Sequence, residues 1–109
     1  MAYENSQPSK FIIGYGLSGG FGGIQSYMVV EAYSYEDAES MARLRSVEEY
    51  ESHVGSGGLR EVDEIMEDDD VDEQEAEIIY RDEMESWLDY STEEYTEERY
   101  KEIEENYGF

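Results

Sequence analysis

A chain of 109 residues with 30 Asp and Glu against seven Lys and Arg has a formal net charge of −23, which disfavours nucleic acid and anionic lipid as direct partners because like charges repel. The length is that of one domain. The absence of Cys excludes disulfides and thiolate metal sites, and no run of about 18 apolar residues offers a membrane span.

Leu, Ile, Val and Phe make up only 20 of the 109 residues, a poverty that with high charge usually means disorder. Eleven Tyr and one Trp supply aromatic area instead, and the apolar residues recur at regular spacing, so a fold is expected. Residues 1–9 are polar, contain the only Pro (Pro8), and read as a short arm. Met1 to Asn5 lacks the basic and apolar stretches of a signal peptide. The expected location is the cytoplasm, or the host cell cytoplasm if the protein is viral.

A single small acidic domain is expected over 10–109. Lys10 to Tyr15 alternates as a strand, with Phe11, Ile13 and Tyr15 on one face. Leu17 to Gly23 holds four Gly and reads as a flexible connection. Ile24 to Tyr33 is a second strand, and the two form a hairpin. Ser34, followed three residues on by Asp37, is an N-cap signal for a helix from Tyr35 to about His53, stopped by Gly55. Tyr35, Ala38, Met41 and Ala42 stripe one side of it, and Leu44, Val47 and Val54 the other. That pattern predicts packing on two sides, between the hairpin and the C-terminal helices.

Ser56-Gly57-Gly58 reads as a loop, and Leu59 to Met66 as a short helix that Glu67-Asp68-Asp69-Asp70 ends by self-repulsion. A third helix is expected from Asp72 to Tyr90, striped by Ala76, Ile79, Tyr80, Met84, Trp87 and Leu88. Ser91 with Glu94 forms a capping box that opens a fourth helix, striped by Tyr95, Tyr100, Ile103 and Tyr107. The expected fold class is α+β with the order ββαααα: an N-terminal hairpin packed on a long helix, then a short helix and two acidic amphipathic helices.

The charge is uneven. Residues 1–58 carry a net −5 and residues 59–109 a net −18. Asp82, Glu85 and Asp89 fall opposite the apolar stripe of the third helix, and Glu94, Glu97, Glu98, Glu104 and Glu105 on the outer face of the fourth. Over residues 72–105 this is about one net charge per 4 Å of helix at a rise of about 1.5 Å. Two such helices side by side would approach duplex DNA, with about one charge per 1.7 Å. An ordinary charge run is a solvated face, but a merely soluble surface mixes signs. The partner-binding residues are therefore expected to be Asp68, Asp69, Asp70, Asp72, Glu73, Asp82, Glu85, Asp89, Glu94, Glu97, Glu98, Glu104 and Glu105.

Other chemistry is poorly supported. Gly14-Tyr15-Gly16-Leu17-Ser18-Gly19 matches G-x-G-x-x-G, but no helix follows it and the next strand lacks a Lys. Asp68, Asp70 and Asp72 have the first spacings of an EF-hand loop, yet Glu73 stands where Gly is required and Ile79 where Glu is required. His53, the only His, suits the last turn of its helix as a cation on the dipole. No enzyme, cofactor or metal site is expected.

The leading expectation is an inhibitor that imitates nucleic acid and competes for the basic groove of a nuclease, restriction enzyme, CRISPR effector or repair enzyme. The composition is similar to that of small viral DNA-mimic proteins, a likeness of class carried by no motif. The alternative is a non-catalytic adaptor or assembly module whose charge serves solubility or salt adaptation. A lone two-stranded hairpin is marginal in water, so a homodimer through the hairpin edge is also expected as an option.

Overall fold

The computed structural model describes residues 7–55 and 58–108. Most of the expected N-terminal arm, and Ser56-Gly57 of the expected loop, lie outside the described residues. Strand β1 (Ser9–Leu17) and strand β2 (Gly23–Ala32) form the antiparallel hairpin. Between them Gly19–Phe21 makes one turn of 3-10 helix, closed by Gly22 at φ 93 with its N–H donating to Gly19 O. The loop is thus ordered by a backbone conformation that only glycine adopts freely, where the sequence suggested a flexible link. The register runs unbroken from Ser9↔Ala32 to Tyr15↔Ser26, then shifts at Gln25.

Helix α1 (Tyr35–His53) has the predicted bounds, and Ser34 caps it by accepting from the Asp37 N–H at 3.1 Å. Its packing differs from expectation. The side chains it buries are Ala38, Ala42, Ser46 and Tyr50, an i, i+4 line that faces the sheet. Of the second apolar stripe, Leu44 is 59% exposed, while Val54, just past the helix end, packs in the cluster of Leu17, Tyr50 and Leu59 that meets α3. Small residues let α1 sit close on the sheet, where Ala38 and Ala42 meet Phe11, Ile13 and Ala32, flanked by Met28, Val30 and Tyr90.

Helix α2 (Val62–Asp69) starts three residues later than predicted and absorbs most of the acidic run. Its start is set by a capping box between Glu61 and Glu64, and Leu59 is left outside the helix and buried. Asp70 ends it in a left-handed conformation, φ 54. Asp72 then caps helix α3 (Glu73–Trp87), accepting from the Glu75 N–H at 2.8 Å.

The main correction lies next. Leu88–Glu94 is strand β3, where the sequence predicted the end of one helix and the start of another, and the element order is ββαααβα. Leu88, Tyr90 and Thr92 alternate with Asp89, Ser91 and Glu93, a period of two hidden beneath a helical stripe and a false capping box. The open edge of β1 offers hydrogen-bonding groups that need partners, and three strands are more stable than two. β3 fills that edge antiparallel, from Phe11↔Glu94 to Leu17↔Leu88, giving the sheet order β2-β1-β3. The premise of a marginal two-stranded hairpin falls, and β1 has no edge left for a dimer. Thr96, not Ser91, caps helix α4 (Glu97–Tyr107), accepting from the Arg99 N–H at 3.1 Å.

The α+β class and the N-terminal hairpin hold. The sheet is covered on both faces. α1 lies on the face of Phe11 and Ile13. On the other, Ile12 is fully buried, Tyr27 meets Tyr107 of α4 with ring centroids 4.8 Å apart, and Ile103 of α4 is 1% exposed. Burying each such Ile stabilises the fold by roughly 1.5–3 kcal/mol. A polar stitch joins the layers. The buried Ser46 hydroxyl donates to Gly16 O at 2.7 Å and accepts from the Asp89 N–H at 3.1 Å, two residues that are register partners across β1 and β3. α2 and α3 form a helical hairpin beyond one end of the sheet. It is anchored where Tyr80, Met84 and Trp87 pack on Leu17, Tyr50 and Leu59.

Candidate functional site

The densest charge falls on the α2–α3 hairpin. Residues 60–87 carry 14 acids and two bases, net −12 over 28 residues. The rest of the described chain carries net −10 over 72 residues. Two acidic helices do lie side by side, but they are α2 and α3. α3 and α4, the pair expected to double the charge density, are separated by β3. α3 meets α1 through the Arg43–Glu85 ion pair, on one face of the sheet. α4 covers the opposite face, where Arg99 meets Glu93 at 2.8 Å.

The hairpin brings five of the expected residues together at its turn. Asp68 and Asp69 bind Arg60, at 3.4 and 3.1 Å, Asp70 terminates α2, Asp72 caps α3, and Glu73 stands in the first turn of α3. Asp82 is exposed on α3, and Glu85 is engaged by Arg43. The other six lie elsewhere. Asp89 is half-buried in β3 and reaches across Gly16 towards Gly23, where an added Cβ would stand 3.1 Å from Asp89 Oδ2. Glu94 is exposed at the end of β3, not on a helix. Glu97, Glu98, Glu104 and Glu105 are exposed on α4 as expected. The expected residues are thus divided among the α2–α3 hairpin, β3 and α4.

Exposed Asp63, Glu64, Glu67, Glu75 and Glu77 belong to the hairpin surface and escaped the sequence reading. Their signal was present. Ile65 and Ala76 are the fully buried positions of the hairpin, and acids that share a helix with a single buried residue face outward.

Arg60 organises this acidic unit. It stands just before α2, and its guanidinium reaches Glu83 on α3 as well as Asp68 and Asp69 on α2. The Glu83 hydrogen bond, then that of Asp69, pushes the Arg60 pKa up, so the cation is permanent. Arg99 is raised in the same way, first by its hydrogen bond to Glu93. Arg43, Arg45, Arg60 and Arg99 all bind carboxylates of the chain itself. These four of the seven Lys and Arg are therefore spent inside the acidic field, and the surplus carboxylates face solvent.

The G-x-G-x-x-G glycines are explained by packing. A Cβ on Gly16 would stand 2.2 Å from Gly23 O, and one on Gly14 would strike Tyr27, Ile24 and Ser91. They permit close strand approach. Among the described residues, no group of three or more His, Asp or Glu is placed to hold a metal ion, and no helix is long and apolar enough to cross a membrane. Comparison with protein-family models, curated proteins and solved structures gave no significant match.

Proposed function

We propose that the protein is a non-catalytic inhibitor that presents the α2–α3 hairpin as an imitation of a nucleic-acid backbone and occupies the basic groove of a DNA- or RNA-handling protein. The supporting observation is the hairpin's net −12 over 28 residues, carried on two adjacent helices in which ten of the 14 exposed positions are carboxylates. Acids three or four apart on a helix stand about 5–6 Å from one another, near the spacing of successive phosphates on one strand. Such a surface destabilises itself by repulsion, and a cationic groove relieves that repulsion. Charge steers the encounter, and occlusion of the groove follows.

The test is affinity capture from host lysate at moderate salt, followed by competition. The retained protein is expected to bind nucleic acid, to be displaced by duplex DNA or RNA, and to lose affinity steeply as salt rises. Replacing Glu67, Glu73, Glu77 and Asp82 with the matching amides should weaken it and flatten the salt dependence. Retention of a protein that neither duplex DNA nor RNA can displace would sink the reading.

A further inference from the structure

We infer that the free edge of β2 is a homodimerisation edge, to which a second copy of this chain adds its own β2 antiparallel, making one six-stranded sheet from two of three. Among the described residues the order β2-β1-β3 leaves two edges. An open edge invites association, and natural sheets guard it with charge, Pro or a bulge. The β3 edge is guarded, for Asp89, Glu93 and Glu94 are three acids among its seven residues. β2 is not. Its ten residues hold one acid, Glu31, and no Lys, Arg or Pro. In a chain with 30 acids among 109 residues, this strand is where like-charged copies repel least.

The adjoining surface carries apolar side chains. Ala42 of α1 points into the sheet. Arg43, 100° further round the helix, reaches Glu85 on α3, the helix that leads into β3. Met41 is 100° the other way and so lies on the β2 flank, 38% exposed. On the same face Met28 and Val30 of β2 are only partly buried. Met28, Val30 and Met41 thus line this edge, and Arg45 and Glu48, paired with each other at 3.3 Å, flank Met41 on the same side of α1.

The strand is also its own complement, which selects a second copy as the occupant. Its regular stretch, 26–32, ends at the irregularity at Gln25. A two-fold axis at Val29, the middle of that stretch, sets Met28 of one copy opposite Val30 of the other. It sets Ser26 opposite Ala32 and Tyr27 opposite Glu31. Opposed residues then share a face, as antiparallel pairing requires, and no carboxylate faces another. The opposing charges are Glu31 of β2 and the exposed acids of α1 and α4, the helices that cover the two faces of the sheet. Salt screens that repulsion. Dimerisation therefore strengthens with salt, the reverse of binding to a basic groove, so the two ideas fail separately.

Sedimentation equilibrium of the full chain should give a monomer–dimer equilibrium whose dissociation constant falls roughly tenfold between about 0.1 and 0.5 M NaCl. Amide exchange should slow along β2 as concentration rises while β3 stays unchanged. Val29→Glu, which sets two carboxylates together at the axis, should weaken the dimer more than about tenfold, and Val29→Thr should keep it. A monomer at every concentration and both salts overturns the inference, whether or not another protein can add a strand there. So does exchange along β2 that is indifferent to concentration. If Val29→Glu loses its fold, the exchange of the unaltered chain decides alone.

Discussion

The sandwich of sheet, α1 and α4 and the hairpin of α2 and α3 solve the same acidic composition in opposite ways. The sandwich covers a sheet on both faces and buries Phe11, Ile12, Ile13, Ala38, Ala42 and Ile103 in its layers. The hairpin buries Ile65 and Ala76 away from its anchor and carries about three times the net charge per residue. Charge is densest where the core is thinnest. The hairpin is held instead by local devices, the Glu61–Glu64 capping box, the Asp72 cap and the Arg60 bridge. Stability and charge are thereby divided between two parts of one small chain.

The strongest way to break this comparison is a core deletion in each part. Ile13→Ala should destabilise the whole protein by about 3–4 kcal/mol, seen as a lowered midpoint in urea. Ile65→Ala should melt the hairpin locally, with amide protection lost along α2 and α3 and kept along β1. Equal loss of protection everywhere would mean that the two parts fold as one unit.

The Ser46 stitch tests the sandwich more gently. Ser46→Ala removes both bonds and strands the Asp89 N–H, at a cost of about 2 kcal/mol. A loss below about 0.5 kcal/mol would show that the sheet bonds of Gly16 and Asp89 suffice without it. Smaller again is the response to salt. Raising NaCl from about 0.05 to 0.5 M should slow exchange along α2 and α3 more than along β1, because repulsion is concentrated in the hairpin. Arg60→Gln should enlarge that difference, since Asp68, Asp69 and Glu83 lose their shared cation. An equal response in both parts would argue against a strained acidic surface.

Much of this division could be read in the sequence, and its errors share a cause. α1 was legible because Ser34 and Gly55 are local signals, and the hairpin because alternation is local. β3 was not, because the apolar stripe of α3 runs on through Leu88, while the demand for a third strand comes from β1, more than 70 residues earlier in the chain. The charge asymmetry was visible as a sum. Its partition was not, because assigning Glu94 and Asp89 to helices placed on one surface carboxylates that the fold separates. The buried role of Ser46 had no sequence signal, since it interrupts an apolar line with a hydroxyl whose partners come from two distant strands.

The smallest effect concerns the joint between the two parts, where Tyr50 of α1 meets Tyr80 of α3 edge-on, ring centroids 5.8 Å apart. Tyr50 is fully buried, and its hydroxyl has no partner among the described residues. Tyr50→Phe removes that orphaned group and keeps the ring contact, so it should stabilise the protein by about 1 kcal/mol at neutral pH. Burial, then the nearby tyrosine and acids, raises the Tyr50 pKa above 10.0, and burial with Glu51 and Glu61 raises that of Tyr80. The folded state therefore holds protons that the unfolded state releases above pH 10. This contribution is complete below the unfolded value and is lost as pH climbs through the raised folded one. The variant lacks the Tyr50 share of that loss, so its advantage should widen above pH 10 in urea midpoints taken from pH 7 to 11. A destabilised variant at pH 7 would mean that the hydroxyl is satisfied after all, and parallel alkaline losses would show that Tyr50 is not part of what alkali breaks.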